Sequence, residues 1–247
     1  MKPGALVGLL AGAGLSAALG AFLMGRAHVG KHIDDYANHW AERVDGGEGV
    51  LHYVALGDSA AQGVGASHVS QGYVPRIARK LQEATGREVV ITNLSVSGAT
   101  TGDVVRDQLP QLTELPFTPD VVTLDIGGND VVFPGHTPSS FEANLDLILD
   151  ALPEGSFVGD VPWFALPGLS RQSQQMAGRA SVLIEQHGHH LVPLHAVSRA
   201  VGSWNYHRFT ARDMFHPNDL GYEGWADTFW KVMEEAGLVG SLSTRLP

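Results

Sequence analysis

Five short runs rich in Val and Ile stand out along the chain: His52–Leu56, Glu88–Asn93, Asp120–Ile126, Ser156–Val161 and His190–Leu194. Longer stretches with apolar residues at helical spacing lie between them, near Tyr73–Thr85, Thr101–Leu109, Ser139–Leu152 and Arg171–His187. A last helix is expected from Asp219 to Ala236. Short apolar strands alternating with helices predict a mostly parallel sheet, because parallel neighbours need a long crossover and a helix supplies it. Helices then cover both faces of the sheet. Right-handed crossovers bring every strand's carboxyl end to one edge. The pattern therefore predicts an α/β class, with a mostly parallel five-stranded sheet between two helical layers.

The amino-terminal region departs from this rhythm. Ala5 to Met24 carries no charge and has about the length a helix needs to cross a bilayer. Two readings compete for residues 1–26. One is a cleaved signal peptide, with Ala18-Leu19-Gly20 as a small-x-small cleavage site. The other is a retained anchor, whose Gly4, Gly8, Gly12, Ser16 and Gly20 line one helical face with small groups. The apolar run continues past the cleavage candidate, which favours the anchor. The expected placement is extracytoplasmic, membrane-anchored or secreted, with membrane association through residues 5–24, and Lys2 before the run with Arg26 and Lys31 after it leaves the orientation open. Residues 27–50 are polar and read as a juxtamembrane helix and linker. The domain proper is expected over residues 51–238, with a frayed tail over 239–247.

Composition narrows the function. The 247 residues suit one domain plus an appendage, and 44% hydrophobic content supplies a core. A formal net charge of −10 excludes a nucleic-acid surface, since no basic stripe is available to displace phosphate counterions. With no cysteine, disulfides, thiolate metal sites and cysteine nucleophiles are excluded.

Four segments carry candidate chemistry. Gly57-Asp58-Ser59 ends the first strand, where open α/β sheets gather ligands and reactive groups. Gly98 follows the second strand; without a side chain it lets a backbone N–H approach a ligand. Gly127-Gly128-Asn129-Asp130 follows the third strand, and the Asn129 amide can donate to a developing oxyanion. Asp213-Met214-Phe215-His216 precedes the last helix. Three residues of separation let a carboxylate hold one imidazole nitrogen while the other faces Ser59. Each segment alone fits an ordinary turn. Together they supply a nucleophile, a base, an orienter of the base and oxyanion donors, the roles that acyl transfer requires.

These segments resemble the conserved blocks of the SGNH hydrolases, the GDSL esterase/lipase superfamily. Gly57-Asp58-Ser59 with Gly63 resembles the first block, Gly98 the second, Gly127-Gly128-Asn129-Asp130 the third and Asp213-Met214-Phe215-His216 the last. The resemblance runs from about Leu51 to Ala236. It implies a flavodoxin-like three-layer α/β/α sandwich and a serine esterase or lipase. It also implies roles. Ser59 attacks an acyl carbonyl, His216 shuttles the proton and Asp213 orients the ring. The N–H groups of Ser59 and Gly98, with the Asn129 amide, receive the oxyanion. Asp58 and Asp130 are then structural, Asp130 bracing the Ser59 loop. No metal or organic cofactor is required. Ala60-Ala61 departs from many relatives, which carry bulkier or polar residues there.

Other features are weaker. His187, His189, His190 and His195 crowd the last strand, but histidine without carboxylate or cysteine partners is poor support for a metal site. Trp204, Tyr206, His207, Phe209 and Phe133 flank the expected site, as a substrate wall or as packing. Short gaps between the blocks predict an open site without a large lid. Small-molecule, lipid-derived and glycan acyl esters all fit as substrates. Carbohydrate O-deacetylase, lysophospholipase and thioesterase activities use the same residues. A flavodoxin-like binding module has no need of all four groups.

Overall fold

Alternate residues of the first apolar run face two different cores. In β1, Leu51–Gly57, Leu51, Tyr53 and Ala55 pack into one and Val54 and Leu56 into the other. Successive strand side chains point to opposite faces, so a strand apolar at every position must be covered on both. The computed structural model, which describes residues 29–42, 47 and 49–244, meets that requirement with a helical layer on each side. The apolar run at residues 5–24 lies outside the described residues. Among those described, no helix is long and apolar enough to cross a membrane.

The sheet is parallel throughout, in the order β2-β1-β3-β4-β5. Its other strands are β2 (Val89–Asn93), β3 (Val121–Asp125), β4 (Phe157–Gly159) and β5 (His190–Val192). Tyr53 of β1 sits opposite Ile91 on one side and Val121 on the other. This is the flavodoxin-like order, and its switch point lies between β1 and β3, where the connections depart to opposite faces. One face carries α3 (Tyr73–Thr85) and α9 (Asp219–Glu235), with Ile77, Leu81, Tyr222 and Phe229 fully buried. The other carries a helical stretch over residues 101–113 (α4), α6 (Pro138–Ala151) and α7 (Pro167–Gln186). The middle of α4, Val104–Gln108, widens into a π-helical turn.

The helix expected between the apolar run and the domain is present: residues 29–41 form α1, which docks on the domain through Val29, Ile33, Tyr36 and Trp40. Two other helices differ from the expected pattern. α8, Leu194–Phe209, was not foreseen, because its apolar positions are sparse and Gly202 breaks it with φ 72° and ψ 158°. The segment expected to fray instead forms α10, Leu238–Thr244, because Leu242 buries itself against the α3 face. Two further one-turn helices, α2 (Ser59–Gln62) and α5 (Gly128–Val132), start at the carboxyl ends of β1 and β3 and carry the site.

Candidate active site

β1 ends at Gly57, whose φ of 139° and close approach to β3 admit only glycine. A Cβ there would lie 2.1 Å from the Asp125 carbonyl oxygen. The Gln108 side chain, from the π turn of α4, holds both backbone groups of Gly57: it accepts the N–H at 2.9 Å and donates to the carbonyl at 2.7 Å. Asp58 then caps α2, its Oδ1 accepting the Ala60 N–H at 2.9 Å. Ser59 is the first residue of that helix and is buried.

The turn after α2 brings the distant partner in. At Gly65, φ 100°, a Cβ would stand 2.5 Å from the Pro217 oxygen and 2.7 Å from the His216 Cβ. The bare backbone lets the 213–216 loop lie directly on this turn. Within the loop, Asp213 Oδ1 accepts the N–H groups of Phe215 at 3.0 Å and His216 at 3.1 Å. Met214 adopts the left-handed region, φ 55°, to permit this tight wrap.

The result is a continuous hydrogen-bonded line. Asp213 Oδ2 lies 2.6 Å from His216 Nδ1, and His216 Nε2 lies 2.9 Å from Ser59 Oγ. Burial alone would raise the Asp213 pKa. The bond from the ring, the ring's charge and the two backbone N–H groups outweigh it, and the carboxyl stays below its ordinary range. An ionised Asp213 accepts from Nδ1, which leaves Nε2 as the acceptor for the Ser59 hydroxyl proton.

Asn129 is buried in α5 and commits both amide hydrogens, one to the Ala99 carbonyl at 2.9 Å and one to Asp58 Oδ2 at 3.2 Å. It thereby joins the loop of Gly98 to the residue before Ser59. Gly98 lies in an exposed turn, closed by the Ala99 N–H bonding to Val96, with φ 84°. It reaches the group through Ala99 and does not line the cavity beside Ser59. Burial pushes the Asp58 carboxyl up to about 6; the Ala60 N–H and His216 pull it back, and the charge of Asp130 adds to the rise. Asp130 does not brace the Ser59 loop. Its carboxylate accepts the Thr101 N–H at 3.0 Å and the Thr101 hydroxyl at 2.6 Å, fixing the start of α4.

Two glutamines escaped the sequence reading. Besides Gln108, Gln62 donates to the Ser95 carbonyl at 2.8 Å and accepts from the Ser97 hydroxyl at 2.6 Å, tying α2 to the Gly98 loop. A lone glutamine in a helical run gives no signal in sequence. The four histidines near β5 do not converge. His187 faces Asp146 and Asp150, His189 the Leu149 carbonyl and His195 the Val161 carbonyl. Among the described residues no group of three or more His, Asp and Glu could hold a metal ion.

Beside Ser59 and His216 opens a cavity of about 120 Å³. Two of the five expected wall residues, Tyr206 and Phe209, line it, whereas Trp204 is 93% exposed and His207 and Phe133 are also exposed. The loop after β4 adds Trp163 and Phe164, and α8 adds Val197 and Val201. The site is therefore flanked by a helix that the short gaps between motifs did not suggest.

The hydrogen-bonded line sets a serine hydroxyl, an imidazole and a carboxylate in sequence at the carboxyl edge of a doubly wound sheet. A family model, the GDSL-like lipase/acylhydrolase family, matches residues 55–223. This chain belongs to that family, and its class is that of the carboxylic ester hydrolases. The spore germination lipase LipC of Bacillus licheniformis is 36% identical over 83 residues, 33% of this chain. That match spans 39% of the relative's length. Among solved structures, a catalytic mutant of the acetylxylan esterase Axe2 from Geobacillus stearothermophilus superposes with a TM-score of 0.61 and 20% identity, covering 78% of this chain and 96% of its own. The esterase EstA from Pseudoalteromonas superposes with a TM-score of 0.58 and 22% identity, covering 75% and 97%. These two structures share the fold.

Proposed function

We propose that this chain hydrolyses carboxylic acyl esters through an acyl-enzyme on Ser59. The observation that carries this reading is the line Ser59 Oγ–His216 Nε2–Asp213, with separations of 2.9 and 2.6 Å. His216 Nε2 takes the hydroxyl proton as Oγ bonds to the acyl carbon. The carbonyl electrons collect on oxygen, and the tetrahedral adduct collapses as His216 returns the proton to the departing alcohol. Water then repeats the sequence, giving up a proton to His216 while attacking the acyl carbon and releasing the carboxylic acid. Asp213, held ionised, keeps Nδ1 protonated and stabilises the imidazolium.

The oxyanion is received by the N–H groups of Ser59 and Gly98 and by the Asn129 amide. Asn129 gives up its long bond to Asp58 Oδ2 for this purpose, and the bond to Ala99 keeps the amide oriented. Small-molecule, lipid and glycan esters are the substrate classes, and no cofactor takes part. Residues 5–24 hold the enzyme to the membrane on its extracytoplasmic side. Membrane fractionation of the full chain, with and without residues 1–26, tests that placement. Loss of membrane association only on deletion is the expected result.

The chemistry is tested with a fluorophosphonate probe and p-nitrophenyl esters. Ser59 is expected to label covalently, and Ser59→Ala to lose labelling together with at least about 10⁴-fold of kcat. Turnover that persists in Ser59→Ala refutes the mechanism.

A further inference from the structure

The cavity beside Ser59 is built from hydrocarbon. Trp163 and Phe164 come from the loop after β4, Val197 and Val201 from successive turns of α8, and Tyr206 and Phe209 from beyond the Gly202 break. Leu220, also on the wall, is 51% exposed and marks an apolar mouth. Ser198 and Thr210 line it as well, but their hydroxyls are spent inside the protein, on the Leu194 and Tyr206 carbonyls. The buried Asp125 carboxyl lies at its inner edge, with Oδ2 unpartnered. Burial, and then the charges of Asp58 and Asp160, raise its pKa well above the ordinary range, which disfavours a charge at this edge. A polyol such as a sugar ring would find few free hydrogen-bond partners on these walls. A saturated chain finds what it needs, since burying apolar area supplies the affinity.

Size decides between an acetyl and a longer acyl group. A methylene is close to a water molecule in size, and water takes about 30 Å³ in the liquid, so 120 Å³ holds at least about four such groups. An acetyl methyl would leave most of that volume unfilled. Resting on the serine-hydrolase reading above, we propose that this cavity is the acyl site and that the enzyme prefers medium-length, unbranched acyl chains of about six to eight carbons over acetyl. Val197 and Val201, one helical turn apart on α8, set the depth of the site.

The test is kcat/KM for p-nitrophenyl acetate, butyrate, hexanoate, octanoate and dodecanoate, alongside fluorophosphonate labelling of the same preparation. Each buried methylene is expected to raise kcat/KM about fourfold, so hexanoate, four methylenes longer, should exceed acetate by up to roughly 250-fold. Val201→Trp and, separately, Val197→Phe should lower the octanoate-to-acetate ratio at least about tenfold, by filling the cavity. If wild-type enzyme labels at Ser59 but kcat/KM falls steadily from acetate upward, the acyl-site inference is overturned while the esterase reading stands. If either folded variant keeps the wild-type ratio, the chain does not lie against those valines and the inference fails. If folded wild-type protein neither labels nor turns over any ester, the serine-hydrolase reading fails and the inference falls with it.

Discussion

At the scale of single residues, the site depends on groups that serve two purposes. Asn129 ties Asp58 to Ala99 in the resting protein and, in the proposed mechanism, donates to the oxyanion. Asn129→Ala is expected to lower kcat by about 10²–10³-fold with a smaller change in KM, since an oxyanion donor acts mainly in the transition state. Asp213→Asn preserves shape but can present its amide hydrogens to His216, turning the ring into the wrong tautomer. A fall in kcat of about 10⁴-fold is expected at neutral pH. Steady-state kinetics on both variants, with circular dichroism to confirm folding, checks these outcomes. Gly65 matters for what it lacks. Any side chain there meets the Pro217 oxygen and the His216 Cβ and drives the loop off α2.

At the scale of elements, the nucleophile helix α2 is too short to hold itself, since four residues close hardly one helical turn. Its neighbours hold it. Trp40 of α1 donates its indole N–H to the Gln62 carbonyl at 3.0 Å, and Tyr36 donates to the Ala66 carbonyl at 3.0 Å. Tyr222 of α9 donates to the Val64 carbonyl at 2.6 Å. These are carbonyls that α2 and its following turn leave without helical partners. Tyr222→Phe strands a buried acceptor and is expected to cost about 1–3 kcal/mol of stability, measured by denaturant unfolding. Removing residues 1–42 deletes α1 and should destabilise the domain in the same unfolding measurement.

At the scale of the whole molecule, the carboxyl edge of the sheet gathers three buried acids, Asp58 just after β1, Asp125 at the end of β3 and Asp160 just after β4. Burial raises all three; the Asp160 pKa rises to about 7, even though backbone N–H groups of His195 and Leu194 pull it down. A carboxyl with a raised folded pKa stabilises the protein below the ordinary value near 4 and loses that contribution as pH rises through the folded value. Asp213 acts oppositely: its contribution is present above about pH 4 and lost in stronger acid. Stability should therefore fall between about pH 4 and pH 7. Asp160→Asn keeps the Oδ1 acceptor for the His195 N–H and removes the charge. It is expected to gain about 1–2 kcal/mol over wild type at pH 8, and little at pH 4, in thermal unfolding at the two pH values. An equal gain at both would show that charge is not the cause.

Much of this protein was legible in its sequence. Five apolar runs separated by helical spacing determine a parallel sheet with two covered faces, because each residue type reports its own burial and period. The chemical identities of Ser59, Asn129, Asp213 and His216 were legible too, since few other residue sets supply a hydroxyl, an amide, a carboxylate and an imidazole in that order. The sequence also carries an apolar segment at residues 5–24, outside the described structure. Tertiary structure alone decided what lies far apart in the chain and close in space. It brings Ser59 to His216 across 157 positions and sets Gln108 as a clamp on Gly57. It turns Asp130 toward Thr101 rather than the Ser59 loop. It bends α8 at Gly202, whose residues wall an apolar cavity. Periodicity along a chain records how much each position is buried, whereas a pocket and a hydrogen bond depend on which surfaces meet, and that is fixed only when the sheet closes its layers.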